Sequence, residues 1–388
     1  MVPKRRAKAP STPSCRPSPT PSSTRWVFAW TACRFTRPAC GRRYTRRGWP
    51  EMLRIAPTFE VLRPETLDEV VNLLDQHGEA ARLIAGGTDF VPNLKHGLYA
   101  PEVVIDLKGV SALRGIEHRP ESLVFGALVG LHEMETDTRV HAVLPSLSRA
   151  ASLVAGPQQR RMGTLGGNLC LDTRCVYINQ TEFWRGALGG CLKKDGDVCH
   201  VTVTGKKCVA AASNDTAPVL ISLGATVELL SPRGVRHLPV DELYINDGIR
   251  NLALGHDEVL TRVFVPRPGP QRRMGFEKLR TRGAIDFPLL NCALAFDLDE
   301  AENLSEPVLI FSAVAARPRS ISQLPVGRLD AALIAEFGQR AFASVRPLTN
   351  INADVDWRRE MVPHLVSRAF EAALGRASAT PFSLSNAR

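Results

Sequence analysis

Five of the nine cysteines of this chain fall within 39 consecutive positions. Cys175, Cys191, Cys199 and Cys208 are separated by 16, 8 and 9 residues, and Cys170 lies just upstream of them. Thiolates are strong ligands for zinc and for iron–sulfur clusters. The concentration of cysteines in a polar segment punctuated by glycine therefore points to a metal centre rather than to unrelated buried thiols.

The spacing of these cysteines bears on the choice of metal. Structural zinc sites usually contain two cysteines separated by two to four residues, which closes the tetrahedral geometry compactly. Here the nearest pairs, Cys170–Cys175 and Cys191–Cys199, are wider. The corners of an iron–sulfur cube lie farther apart, so a loose loop can deliver thiolates to it. Both metals stay open, with the spacing favouring the cube. His200 is a further candidate ligand, although a lone histidine is more often a surface or outer-sphere group.

Two glycine-rich segments have the composition of anion-binding turns. The first, Leu83–Phe90, contains the run AGGTD, and the second, Gly163–Asn168, reads GTLGGN. Paired glycines let backbone N–H groups approach a phosphate closely, and the threonine of each segment adds a hydroxyl donor. Neither is a Rossmann or a P-loop motif. A tight turn would explain either segment alone, whereas the two together indicate the two sides of one pyrophosphate site of a dinucleotide.

Apolar periodicity predicts the elements that position these segments. A strand over Phe59–Arg63, a helix through Leu67–Leu74 and a strand over Arg82–Ala85 lead into the first glycine segment, and a strand over Val103–Leu107 follows it. A helical stretch over Leu131–Leu153 precedes the second. The order strand–helix–strand–loop–strand indicates an α/β or α+β unit.

A linker rich in proline and arginine, Pro266–Arg273, predicts a domain boundary. Beyond it the pattern predicts three strands and then two helices, which indicates a small α+β C-terminal domain. We therefore expect a domain over 52–270, interrupted by an insertion over 170–210, and a second domain over 271–388.

The positive charge of the chain is concentrated at its start. The first fifty residues contain twelve Lys and Arg and no Asp or Glu, so a total net charge of +10 leaves −2 for the remainder. That near-neutral remainder has no electrostatic footprint for nucleic acid. No apolar run approaches the roughly 20 residues that a membrane helix needs. An odd number of clustered cysteines without a signal peptide favours a reducing compartment, here the cytoplasm, over a disulfide scaffold.

Residues 1–50, most of the predicted leader over 1–51, have the basic, Ser-rich and acid-free composition of a transit peptide. The alternative, which we favour, is a start assigned too far upstream, with the functional chain beginning at Met52. In either case we expect this leader to be poorly ordered.

Taken together, the motifs resemble the FAD-binding medium subunit of the xanthine oxidase, or molybdenum hydroxylase, family. The resemblance rests on the two glycine segments and on the run Asn-Asp-Thr-Ala-Pro at 214–218. Within that family, the run 168–175 and the surroundings of Cys191 and Cys199 resemble the [4Fe-4S] insertion of 4-hydroxybenzoyl-CoA reductase β subunits. The resemblance covers about Met52 to the C-terminus, and the cysteine insertion is its most specific part.

This resemblance implies an α+β fold, namely a two-part FAD-binding domain of the PCMH type with an iron–sulfur loop insertion, followed by a small α+β C-terminal domain. It implies FAD and a [4Fe-4S] cluster as cofactors, with Cys170 as a cysteine that is not a ligand. The implied cluster ligands are Cys175, Cys191, Cys199 and Cys208. The implied FAD-binding residues are Leu83, Ile84, Ala85, Gly86, Gly87, Thr88, Asp89, Phe90, Thr164, Leu165, Gly166, Gly167, Asn168, Asp215, Leu260 and Lys278.

Within that set, the two glycine segments would bind the pyrophosphate and ribityl groups and Asp215 the flavin side of FAD. Leu260 and Lys278 would lie near the isoalloxazine ring. From the residues alone, a lysine on an apolar strand such as Lys278 more often belongs to a solvated face. Phe183 and Trp184, in the middle of the insertion, are expected to pack over the metal.

The resemblance also implies a relay function without catalytic residues on this chain. The implied partners are a large molybdopterin subunit that binds an aryl-CoA, a small subunit with two [2Fe-2S] clusters, and ferredoxin as electron donor. Electrons would run from ferredoxin through [4Fe-4S], FAD and [2Fe-2S] to molybdenum, where a phenolic hydroxyl is removed reductively. Two alternatives stay open: an FAD subunit of another molybdenum hydroxylase, and a zinc-stabilised binding module.

Overall fold

The computed structural model describes residues 58–376. The predictions made for residues 1–51 therefore lie outside the described residues. The described residues belong to one compact unit, and the domain boundary near residue 270 stays a prediction. No helix within residues 58–376 combines the length and the hydropathy of a membrane span.

The chain opens with a small parallel sheet that carries the first glycine segment. Thr66 and Glu69 form a capping box at the start of the first helix, because each side chain accepts a hydrogen bond from the backbone N–H of the other. The sheet order is β1-β3-β2, and the helix provides the crossover that parallel strands need. The elements are β1 (Glu60–Leu62), α1 (Leu67–His77), β2 (Ala81–Ile84), α2 (Phe90–Lys95) and β3 (Val103–Asp106).

A second, antiparallel sheet forms most of the remaining FAD-domain core. Its strand order is β4-β5-β8-β6-β7, so that strands from before and after the cysteine segment lie side by side. The elements up to the cysteine segment are β4 (Ile116–His118), β5 (Ser122–Gly126), α3 (Leu131–Thr136), α4 (Thr138–Val143), α5 (Pro145–Ser152), α6 (Pro157–Met162) and α7 (Leu165–Leu169). α8 (Glu182–Ala187) lies within it, and the elements after it are α9 (Thr216–Ser222), β6 (Thr226–Ser231), β7 (Gly234–Pro239) and β8 (Val259–Pro266).

The single helical stretch predicted over Leu131–Leu153 is three short helices. Asp137 ends the first and caps the second, because its carboxylate accepts the backbone N–H groups of Arg139 and Val140. Pro145 then occupies the first turn of the third helix, where its missing N–H costs nothing. Apolar periodicity continued across both breaks, which is why it did not reveal them.

The C-terminal part forms an antiparallel sheet whose two faces belong to two different hydrophobic cores. Its order is β12-β11-β10-β9, with β13 paired to β11. Phe276 and Ala293 lie in the core of the FAD domain, whereas Phe296 and Phe311 lie in a second core with the C-terminal helices. Alternation along the strands explains this division. The elements are β9 (Arg272–Leu279), β10 (Leu290–Leu298), β11 (Asn303–Ser312), β12 (Arg319–Ser320), β13 (Gly327–Arg328), α10 (Ala331–Ser344) and α11 (Val355–Ala373).

Candidate cofactor sites

The two glycine segments predicted to share a pyrophosphate meet in the structure. A Cβ added to Gly86 would lie 1.9 Å from the backbone oxygen of Met162, so the two backbones touch where only glycine fits. The Thr88 hydroxyl lies 3.6 Å from the position that a Cβ on Gly163 would take. Gly87 adopts a φ of +69°, in the left-handed region that glycine occupies most readily. Tertiary packing thus brings the two segments into one site.

The backbone donors of the two segments are used differently. Within residues 58–376, the N–H groups of Gly86, Gly87 and Thr88 find no protein acceptor. In the second segment, Gly166 donates to Ala127 and Gly167 to the Thr164 hydroxyl, over 2.9 and 3.1 Å. A row of free N–H groups in a glycine turn fits an anionic group. The first segment therefore offers the donors, and the second supports it.

Asn168, predicted to contact FAD, instead organises a neighbouring helix in the described structure. Its side-chain oxygen accepts from the N–H and the hydroxyl of Thr216, over 3.2 and 2.6 Å. Thr216 begins α9, and Asp215 lies immediately before it. The second glycine segment consequently positions Asp215 through Asn168, even though 46 residues of chain lie between them.

Asp215 and Lys278 form a buried ion pair. The Lys278 Nζ donates to Asp215 Oδ2 over 2.7 Å and to the Leu153 oxygen over 3.0 Å, and Asn291 donates to Asp215 Oδ1 over 2.9 Å. Lys278 is fully buried and Asp215 is 3% exposed, so the interpretation of this lysine as part of a solvated face is wrong. Burial raises the pKa of Asp215 and lowers the pKa of Lys278, and each partner's charge opposes that shift.

The surroundings of Asp215 fit a polar ligand. Ser213 Oγ, Asn214 Oδ1 and Asn291 Oδ1 are buried and find no hydrogen-bond partner within the described residues. Buried polar atoms are normally paired, so a group of unpartnered ones indicates a ligand or water at that place. Together with the free N–H groups of the first glycine segment, they fit the polar groups of FAD. Leu260 is buried in β8, opposite Leu229 of β6.

The four cysteines predicted as cluster ligands neighbour one another. Burial, followed by repulsion from the thiolates of Cys208, Cys191 and Cys199, raises the pKa of Cys175 to about 11. Cys170 lies apart, against the FAD-domain core, where burial raises its pKa to about 12. None of the six cysteines within residues 58–376 forms a disulfide. The three cysteines whose charges act on Cys175 are the other three that the resemblance selects, and the ligand set stays a prediction.

Backbone N–H groups surround two of these sulfurs. Although burial opposes it, hydrogen bonds from Thr202, Val201 and Val209 lower the pKa of Cys199. The Ala210 N–H approaches Cys208 Sγ at 3.5 Å. Such donors stabilise thiolates, and hydrogen bonds to sulfur are one way in which proteins tune iron–sulfur clusters.

The arrangement of the thiols bears on the size of any metal centre. A single zinc with sulfurs at ~2.3 Å needs thiolates about 4 Å apart. Within residues 58–376, no group of three or more His, Cys, Asp or Glu side chains is arranged to hold a single metal ion.

Long-range contacts hold the cysteine segment in place, and the local sequence pattern did not reveal them. Asp89, at the end of the first glycine segment, accepts from Arg174 over 3.1 Å, and Arg174 immediately precedes Cys175. Asn350, in the C-terminal part, donates to the Val209 oxygen over 2.6 Å and accepts from the Val176 N–H over 2.9 Å. The segments that carry Cys175 and Cys208 are therefore joined to both the FAD loop and the C-terminal part.

Three aromatic residues of the insertion differ in their roles. Phe183 and Trp184 are 84% and 39% exposed, and their expected packing over the metal stays a prediction. His200 contacts the Gly190 oxygen at 2.7 Å and stacks near Tyr177. This contact occupies one ring nitrogen of His200 and leaves Nδ1 as its second possible donor or acceptor.

Comparison with known proteins decides the family. Residues 57–268 match the family described as the FAD binding domain in molybdopterin dehydrogenase. The chain belongs to this family. Membership confirms FAD binding, the PCMH-type α+β fold and the broader resemblance to molybdenum hydroxylases, and the matched residues include both glycine segments and Asp215.

Curated relatives of this FAD-binding chain carry different activities in their names. It is 27% identical to the carbon monoxide dehydrogenase medium chain of Hydrogenophaga pseudoflava over 83% of this chain and 99% of that protein. It is 27% identical to the xanthine dehydrogenase FAD-binding subunit of Escherichia coli O157:H7 over 81% and 96%. The nicotinate dehydrogenase FAD-subunit of Eubacterium barkeri is 28% identical over 63% and 70%.

Solved structures agree with this membership. A Cu,Mo-CO dehydrogenase crystal structure in its cyanide-inactivated form superposes with a TM-score of 0.68 at 26% identity, covering 83% of this chain and 100% of that chain. Reconstituted CO dehydrogenase from Oligotropha carboxidovorans gives the same TM-score and identity over 84% and 100%. The FAD-binding fold of this chain is thus that of a molybdopterin dehydrogenase subunit.

Proposed function

We propose that this chain is the electron-transfer subunit, containing FAD and [4Fe-4S], of a molybdenum-dependent aryl-CoA reductase. In this role it passes electrons from ferredoxin through its two cofactors to partner [2Fe-2S] clusters and molybdenum. The complete reaction adds two electrons and two protons to 4-hydroxybenzoyl-CoA and yields benzoyl-CoA and water. The chain would work in the cytoplasm within a heterooligomer, beside a large molybdopterin subunit and a small iron–sulfur subunit.

The grouping of Cys175, Cys191, Cys199 and Cys208 beside the FAD loop is the observation that carries this proposal. The charges of Cys191, Cys199 and Cys208 act on Cys175, those of Cys191 and Cys199 act on Cys208, and N–H groups are directed at Cys199 and Cys208. The Asp89–Arg174 contact then brings the cysteine segment against the first glycine segment. A flavin subunit without a second electron carrier has no need for that arrangement.

FAD, when bound, supplies the conversion between two-electron and one-electron transfer. The residues of this chain bind and orient it. The free N–H groups of Gly86, Gly87 and Thr88 offer hydrogen bonds to an anionic group, and the contact between Gly86 and Met162 keeps the two glycine segments together. The Lys278–Asp215 pair presents buried polar side chains that hold each other in place, on a side of the site from which water is excluded. Substrate chemistry is left to the partner subunits.

Analysis of the anaerobically purified chain tests the proposal. We expect one FAD and four iron atoms per chain, with broad iron–sulfur absorption under the flavin bands. The complex assembled with its molybdenum subunit should reduce 4-hydroxybenzoyl-CoA with reduced ferredoxin. FAD without iron, or zinc in place of iron, would contradict the iron–sulfur assignment. Four iron atoms without this aryl-CoA activity would contradict the substrate.

A second candidate is the FAD subunit of another molybdenum hydroxylase. The relatives favour it, since their names include carbon monoxide, xanthine and nicotinate dehydrogenases at 27–28% identity. In that case the assembled complex should oxidise such a substrate and the purified chain should contain FAD alone. The iron content of the chain thus separates the two candidates before any substrate is tried.

A further inference from the structure

Arg280 is a buried arginine without a protein partner. It follows the last residue of β9 and is 3% exposed, yet within residues 58–376 its guanidinium forms no hydrogen bond and no ion pair. Its Nε is fully enclosed and unsatisfied. A buried charge of this kind is costly to the folded protein unless an acceptor or counter-charge completes it.

The acidic groups around Arg280 are already engaged. Asp215 and Asp286 act on its charge, as do Arg149 and Arg160. Asp215 is paired with Lys278 at 2.7 Å, and Asp286 accepts the backbone N–H groups of Thr281 and Arg282. The guanidinium of Arg280 is therefore left with positive neighbours and carboxylates that are bound elsewhere.

Arg280 lies at the same strand end as the buried Lys278–Asp215 pair, which belongs to the proposed flavin site. Lys278 lies two residues earlier, so both side chains leave β9 on the same face. That face also carries the unpartnered buried oxygen atoms of Asn291 and, beside Asp215, of Ser213 and Asn214. An unsatisfied cation and unsatisfied polar atoms thus lie around the same group, Asp215.

We propose that Arg280 binds an anionic group of FAD, an inference that rests on the FAD-binding function stated above. FAD carries two such groups: the pyrophosphate, and the ring system of the reduced flavin, which is an anion near neutral pH. A positive charge fixed beside the ring favours the reduced form, because charge near the flavin nitrogens tunes its potential. A positive charge beside the pyrophosphate favours both oxidation states equally.

The test compares Arg280→Met and Arg280→Lys with Arg328→Met, a control that removes a like charge from a side chain that is 76% exposed. Affinities for oxidised and reduced FAD and the flavin midpoint potential are measured on the whole chain. We expect at least tenfold weaker binding in Arg280→Met, partial recovery in Arg280→Lys and little change in the control. A tenfold loss confined to reduced FAD lowers the potential by about 30 mV and identifies the ring. Equal losses identify the pyrophosphate.

The stability of the apoprotein separates this role from a structural one. Removal of an uncompensated buried charge should leave the Arg280→Met apoprotein at least as thermostable as the wild-type apoprotein. FAD should raise the melting temperature of the variant less than that of the wild type. A less stable apoprotein with FAD affinity and potential within twofold of wild type would overturn the inference, since Arg280 would then be paired by the protein itself. Wild-type protein that binds no FAD would instead overturn the proposed function.

Discussion

Asp89 and Arg174 join the two predicted cofactor sites directly. The guanidinium donates to the carboxylate over 3.1 Å, although 85 positions separate the residues in the chain. The same guanidinium lies over the ring of Phe287, 3.6 Å from its centre. Because Asp89 lies in the first glycine segment and Arg174 precedes Cys175, this ion pair connects the two segments.

Asp89→Asn should weaken this junction. The variant keeps the shape of the side chain and leaves a half-buried guanidinium unpaired, so we expect a loss of about 1–2 kcal/mol of unfolding free energy. Loss of FAD affinity and of iron should follow together. Denaturation of the apoprotein and analysis of both cofactors check this. Asp195→Asn, in an exposed pair with Lys194, is the control and should be neutral.

Gly86→Ala should separate the two glycine segments. The new methyl group would lie 1.9 Å from the Met162 oxygen, and a contact between two backbones cannot be relieved by a rotamer change. We expect at least tenfold weaker FAD binding, about 1.4 kcal/mol, in a protein that still folds. Gly269→Ala, where no atom lies within 4 Å, should bind FAD normally. Unchanged affinity in Gly86→Ala would contradict the assignment of this loop.

Lys278→Met should show how strongly the buried Asp215 carboxylate depends on the positive charge of Lys278. An unpaired buried carboxylate costs roughly 3–5 kcal/mol, so the apoprotein should lose stability to that extent. Lys108→Met, which breaks a half-exposed pair with Asp106, should cost little. The double variant Asp215→Asn/Lys278→Met also removes the negative charge and should recover stability. If it recovers none, the broken ion pair is not the origin of the loss.

The pH dependence of Lys278→Met has a definite sign. Burial already raises the pKa of Asp215 in the wild type, and loss of the lysine charge raises it further. A carboxyl whose folded pKa exceeds its unfolded value of about 3.9 favours the folded state only while protonated. Its stabilisation is complete below the unfolded pKa and is lost as pH rises through the folded pKa. Denaturation near pH 5 should therefore show a smaller defect than denaturation near pH 8.

Serine substitutions should identify the cluster ligands. Cys191→Ser and the equivalent changes at Cys175, Cys199 and Cys208 should each deplete iron and the low-temperature resonance of the reduced cluster, while FAD stays on its separate loops. A [4Fe-4S] cluster takes four thiolates. Cys170→Ser is the matched control, because its thiol lies against the FAD-domain core, and it should keep both cofactors. Full iron in Cys191→Ser would contradict the ligand set.

Local sequence determined most of the regular elements and the chemistry of the loops. Thr66 with Glu69 specifies a helix start, alternating apolar residues specify strands such as β8, and paired glycines specify turns that side chains would obstruct. These signals act over a few residues, so their outcome can be predicted without the fold. The family resemblance and the candidate cofactor residues followed from the same short motifs.

Only the tertiary structure decided which of those residues meet. Lys278 has the local pattern of a solvated strand residue, but β9 packs against both α5 and α11. Its ammonium is therefore buried and pairs with Asp215. The partnerless guanidinium of Arg280 and the contact of Asp89 with Arg174 are likewise products of packing between distant segments. Periodicity reports which face of an element is apolar; it carries no information about the element that covers that face.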